Sequence, residues 1–188
     1  MFIERLSRAL VVAAVPTWLL LVIVGVSGPA WADPAIRLGA RGGVQLGDAT
    51  DPYFGVDLRV SFLLSPLTIN VTFDDVFDKE MSDYQVSVNA LYDVTVPLRR
   101  VDPYVGIGAN VTAFSFKAMP GVVRNGDDNG QRLGMNLVAG ACFDLPYVSP
   151  FVQVVKQIGA FDPLSFATGL VVALDGDDRW SGCGRRAR

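Results

Sequence analysis

The chain has no histidine among its 188 residues. That absence removes a histidine-based nucleophile or general base and most zinc sites. Cysteine occurs only as Cys142 and Cys183, too few to staple a small secreted scaffold. Cys142 lies within a strand pattern and Cys183 in a Gly-containing tail. The preferred reading is therefore a small apolar wall residue plus a separate thiol, with a single disulfide as the alternative. Lys and Glu are scarce, and Lys79–Glu80 sits in a loop. The formal net charge of −3 leaves no broad basic face for nucleic acid. No Gly-x-x-x-x-Gly-Lys phosphate loop occurs. Asp74–Asp75 and Asp127–Asp128 read as loop acids rather than a catalytic pair, and Asp127, Asp128 and Asn129 as a solvated turn rather than a Ca²⁺ site. The expectation is no catalytic residue, no cofactor and no metal.

Long apolar runs are also missing, apart from one at the start. Arg5 and Arg8 precede an apolar stretch from Ala9 to Val26. Gly28 and Pro29 then break it, and Ala30-Trp31-Ala32 supplies a small-x-small cleavage pattern before Asp33. Residues 1–32 therefore read as a signal peptide, and the remainder as exported.

From Ile36 onward the hydrophobic period is two, and no amphipathic helix is visible. Alternation sorts each segment into two faces, because successive strand residues point to opposite sides. Ile36, Leu38, Ala40, Val44 and Leu46 oppose Arg37, Gly39, Arg41, Gly43 and Gln45. Phe54 to Phe62, Leu67 to Asp74, Tyr84 to Val96, Val105 to Thr112, Arg132 to Asp144 and Leu164 to Leu174 repeat the pattern. Between the last two, Phe151 to Ile158 is less regular; Val155 and Lys156 disturb its phase, which points to a bulge. Eight segments of about 9–13 residues match the length a tilted strand needs to cross a bilayer.

One face is nearly free of charge, while charges and glycines gather on the other. A soluble barrel would bury the apolar face; a membrane barrel turns it to lipid and keeps a polar lumen. Glycines such as Gly39, Gly55, Gly108 and Gly140 on the polar face suit a crowded interior. Tyr53, Phe54, Phe62, Tyr84, Tyr92, Phe143 and Phe166, near segment ends, read as interfacial girdles. The fold class expected is all-β: an eight-stranded antiparallel up-and-down transmembrane barrel over residues 33–174. Its connections alternate in character. Leu64 to Pro66, Pro97 to Asp102 and Leu145 to Ser149 are compact and contain Pro, whereas Lys117 to Gly130 is a longer Gly/Asn/Asp-rich loop. Short periplasmic turns and longer external loops, with an even strand count, place both termini in the periplasm.

The run Asp102-Pro103-Tyr104-Val105-Gly106-Ile107-Gly108-Ala109-Asn110 resembles the turn-plus-strand signature of the OmpA/OmpX-like, opacity-type outer membrane β-barrel family, and Val148-Ser149-Pro150-Phe151-Val152 resembles its second occurrence. The similarity spans Ile36 to Leu174. It implies an outer membrane location, contact with outer membrane lipid, passage through the barrel insertion machinery and a monomer, without naming an external partner. In one respect the chain departs from the pattern: the last strand ends at Leu174, not at a C-terminal aromatic, and a polar tail follows over 175–188, read as disordered.

With the polar face inward, Arg37, Arg41, Asp57, Arg59, Asp74, Asp93, Arg132 and Asp144 all enter the lumen. Unpaired charges there would be costly, so they are expected to form a charge network with Asn70, Asn89, Asn110 and Asn136. An eight-stranded barrel is just wide enough for its own side chains, so a plugged lumen is expected. The functional expectation is a non-enzymatic structural or surface-interaction barrel; the alternatives are a soluble lipocalin-like ligand carrier and a small ion-conducting channel.

Overall fold

The structure, a computed structural model, describes residues 35–47, 50–62, 65–77, 81–96, 100–116, 129–145, 148–159 and 162–174. The expected signal peptide, the loop 117–128 and the tail 175–188 lie outside these residues. Period-two alternation becomes eight strands: β1 Ala35–Leu46, β2 Thr50–Ser61, β3 Leu67–Phe77, β4 Met81–Asp93, β5 Val101–Phe116, β6 Asn129–Phe143, β7 Ser149–Gly159 and β8 Leu164–Ala173. Each pairs antiparallel with its chain neighbours, and β1 pairs with β8, which closes the barrel. Closure satisfies the backbone groups that an open sheet would leave at its edges, a requirement inside hydrocarbon. Leu174 N donates to Ile36 O at 2.9 Å and extends the seam beyond the last paired residues. The rim carrying the connections after β2, β4 and β6 also receives the start of β1 and the end of β8; we call it the turn rim, and the opposite one the loop rim.

The two faces fall as the alternation requires for a membrane barrel. Leu133 is 77% exposed and Ile107 61%, whereas Arg37 and Asp57 are 0% exposed. Large apolar side chains cover the outer wall from strand to strand, among them Leu38, Phe54, Phe73, Val88, Val105, Leu137 and Leu170. A patch of that extent is untenable in water and suits lipid. It also corrects the lipocalin-like alternative, which needs the apolar face to line a cavity. No described residue belongs to a helix long and apolar enough to span a membrane; the crossing elements are strands.

Three local expectations change. The register of β7 runs unbroken from Cys142↔Phe151 to Gly134↔Gly159 on β6 and from Ser149↔Val171 to Lys156↔Leu164 on β8. No bulge is present: Val155 is an apolar residue turned inward, and Lys156 lies on the outer face. Tyr53 and Phe62 are buried instead of girdling the wall; Phe62 follows the end of β2, where strand parity no longer applies. Asp74 and Asp75 are not loop acids, since both belong to β3, where successive side chains point to opposite sides.

Candidate functional site

The barrel interior is the chemically distinctive region. β2 contributes Asp57 and Arg59, two residues apart on one inward face. The Arg59 guanidinium grips the Asp57 carboxylate with both ends, Nε to Oδ1 at 2.8 Å and Nη2 to Oδ2 at 3.2 Å. This two-pronged geometry is the strong form of a charge-assisted bond. The same guanidinium lies 4.2 Å from the Phe151 ring and 5.3 Å from the Tyr104 ring. Two aromatic faces thus replace part of its hydration.

A directed run of amides starts at that ion pair. Asn70 Nδ2 donates to Asp57 Oδ1 at 2.9 Å, Asn89 Nδ2 to Asn70 Oδ1 at 3.1 Å, Asn136 Nδ2 to Asn89 Oδ1 at 3.0 Å, and Asn110 Nδ2 to Asn136 Oδ1 at 2.6 Å. Asn70, Asn89 and Asn136 each use both ends of the amide, and the run terminates on a negative charge, so its dipoles reinforce one another. Asn89 on β4 reaches Asn136 on β6 across β5, where Gly108 stands. A Cβ at Gly108 would lie 2.2 Å from Asn89 Oδ1 and 2.3 Å from Val88 O. The glycine is therefore required by close approach, as its place on the polar face suggested.

Toward the loop rim, Arg41 Nε lies 3.1 Å from Asp74 Oδ1, and Arg41 Nη2 donates to the Tyr53 hydroxyl at 3.2 Å. Gln157 Nε2 donates to Gln85 Oε1 at 2.9 Å, and Gln85 Nε2 to Ser87 Oγ at 3.2 Å. Between these groups the lumen leaves about 10 Å³, room for one water. Toward the turn rim the character changes: Leu91, Tyr104, Val138, Cys142, Phe151, Val155 and Val171 form a buried apolar cluster, and Tyr104 donates to Gln153 Oε1 at 3.0 Å. Arg37 Nη1 donates to Ser61 Oγ at 3.1 Å, and Ser61 and Thr68 share a 2.7 Å hydroxyl bond.

Of the eight charged residues expected in the lumen, Arg37, Arg41, Asp57, Arg59 and Asp74 are buried, and four of these form two ion pairs. Asp93, Arg132 and Asp144 are half-buried, close to the strand ends. Arg132 lies 4.5 Å over the Phe114 ring. The four asparagines expected to join the network do so. Sequence reasoning missed Tyr104 and Phe151 as partners of Arg59, because alternation assigns a face and not a neighbour across the lumen. It also preferred a separate thiol at Cys142, which is in fact disulfide-bonded and 1% exposed; Cys183 lies outside the described residues.

Among solved structures, the N-terminal β-barrel domain of OprF from Pseudomonas aeruginosa is similar, at 16% identity and a TM-score of 0.56, over 76% of this chain and 100% of that one. The attachment invasion locus protein Ail of Yersinia pestis is similar at 13% identity and a TM-score of 0.50, over 74% of this chain and 96% of that one. At such identities both speak to the fold alone. No curated protein sequence matches. The profile of the family described as outer membrane protein beta-barrel domain matches residues 15–148, a stretch that stops just short of β7 and β8. With eight antiparallel strands, an apolar outer wall and a polar interior, the chain belongs to the outer membrane β-barrel family.

Proposed function

We propose that this protein is a non-enzymatic outer membrane barrel whose lumen is closed by its own side chains, and that it serves a structural or surface-interaction role through its wall and loop rim. The observation that carries this reading is the packing of the Arg59–Asp57 pair against Tyr104 and Phe151, with the asparagine run bonded to the Asp57 carboxylate. A conducting path would have to separate an ion pair bonded at 2.8 Å and buried among packed side chains, a costly step. The residues gathered here are paired to one another, and none is an acid–base or nucleophile pair aimed at open space. In this reading both termini lie in the periplasm and the loop rim faces outward. The test combines membrane fractionation, heat-modifiable gel migration and conductance in planar bilayers. An outer membrane fraction, a folded form that shifts on boiling, and silent bilayers are expected. Stepwise conductance that disappears on boiling would replace this reading with the channel.

A further inference from the structure

The outer wall is not evenly covered. Across β1, β8, β7 and β6, the outward positions Gly42, Thr168, Val152 and Ala141 lie on one line of paired residues. The next line loopward carries Val44, Phe166, Val154 and Ala139. Small residues on neighbouring strands leave a depression of about 440 Å³, open to the membrane side, within the range of roughly 300–1,000 Å³ typical of small-molecule sites. The Thr168 hydroxyl, the one outward polar side-chain group among these lining residues, donates inward to Phe151 O at 3.1 Å. The surface presented is therefore hydrocarbon.

One further line loopward stands Lys156, paired with Leu137 on β6 and Leu164 on β8. It is the one cation on the outward face of the described strands. Its ammonium donates to Asp162 O and lies 3.8 Å from the Asp162 carboxylate, with the side chain 41% exposed. A lysine on a lipid-facing wall near the rim places its stem in hydrocarbon and its charge at the headgroup level. We infer that the depression seats one acyl chain of an anionic, phosphate-bearing lipid of the loop-side leaflet, with Lys156 holding the phosphate. A second copy of the chain is the disfavoured occupant. A two-fold interface centred on the depression presents the same patch from both copies and would bring the two Lys156 ammonium groups toward each other at the edge of hydrocarbon.

The test uses full-length protein folded into vesicles of equal parts dipalmitoylphosphatidylglycerol and dipalmitoylphosphatidylcholine, extracted into mild detergent and read by native mass spectrometry. The wild type is expected to retain one phosphatidylglycerol. Ala139→Phe, which fills the depression, should lower that adduct by about tenfold, while Ala90→Phe on the outward face of β4 should leave it unchanged. Lys156→Gln should keep an adduct but lose the preference for phosphatidylglycerol over phosphatidylcholine. The gel shift on boiling verifies that each variant is folded, and Ala141→Leu substitutes for Ala139→Phe if the latter does not fold. Equal retention by the filled and control variants overturns the inference. So does a wild-type dimer that the filling substitution converts to monomer, which would make a second copy the occupant.

Discussion

Asn70 donates to the same Asp57 oxygen that receives Arg59 Nε, at 2.9 Å against 2.8 Å. One carboxylate atom thus joins the buried cation to the run of amides. Removing its charge affects both. In Asp57→Asn the guanidinium of Arg59 stays buried without a counterion, which costs about 3–5 kcal/mol. Urea unfolding from detergent micelles should show the loss as a lower midpoint. The double variant Asp57→Asn/Arg59→Met should recover a large part of it, since the penalty arises from the stranded charge and not from the absence of the pair. A double variant as unstable as the single one would place the cost elsewhere.

The direction of the amide run makes its members unequal. Asn89 both accepts from Asn136 and donates to Asn70, whereas Asn110 donates to Asn136 at the open end. Asn89→Leu orphans a donor on one neighbour and an acceptor on the other, at about 1–3 kcal/mol for each group left unpaired. Asn110→Leu orphans one acceptor. The inner substitution should therefore cost about twice the outer one. A double-mutant cycle between Asn70 and Asn136, which do not bond each other directly, should show coupling carried through Asn89.

Gly140 meets Tyr104 rather than backbone alone. A Cβ there would lie 2.5 Å from Tyr104 Cζ and 2.6 Å from its hydroxyl oxygen, and equally 2.6 Å from Val152 O. Because the backbone oxygen cannot move aside as a ring can, Gly140→Ala should destabilise the barrel by about 1–3 kcal/mol. The displaced ring should also weaken the stack on Arg59, readable as a change in near-ultraviolet circular dichroism that Tyr104→Leu abolishes.

Much of this was legible from alternation alone. Strand parity placed Arg37, Arg41, Asp57, Arg59 and Asp74 inside and Leu38, Phe54 and Ile107 outside, because a period of two has only two solutions and the glycines chose between them. The apolar floor of the lumen was not legible. Leu91, Val138, Phe151 and Val171 sit on the polar parity, and nothing local distinguishes an apolar residue facing the barrel interior from one facing lipid. In β7 both faces are partly apolar, so Val155 and Lys156 looked like a phase error when the strand is in fact regular. The order of the amide run was hidden for another reason. It depends on cross-strand register and on the gap at Gly108, which bring together residues as far apart in sequence as Asn89 and Asn136.

The disulfide at Cys142 gives a simple chemical readout. The unreduced chain, unfolded and treated with an alkylating reagent, should gain no label by mass; after reduction, both of its cysteines should be labelled. Label found on Cys142 before reduction would show a free thiol there and restore the wall-residue reading.

The assignment of faces carries a depth-dependent consequence. Val88, in the middle of β4, is 46% exposed on the outer wall, and Leu46, the last residue of β1, is 38% exposed at the loop rim. If both face lipid, the cost of a charge depends on distance from the midplane. Val88→Arg should lower stability by about 2–4 kcal/mol and Leu46→Arg by about 0–1 kcal/mol. In a soluble barrel the same substitutions would place charge on a solvated wall, where each would fall within about 0.5 kcal/mol of the parent. Folding titrations into vesicles therefore distinguish the two: a steep difference between Val88→Arg and Leu46→Arg assigns the apolar wall to hydrocarbon, and equal small effects would return it to water.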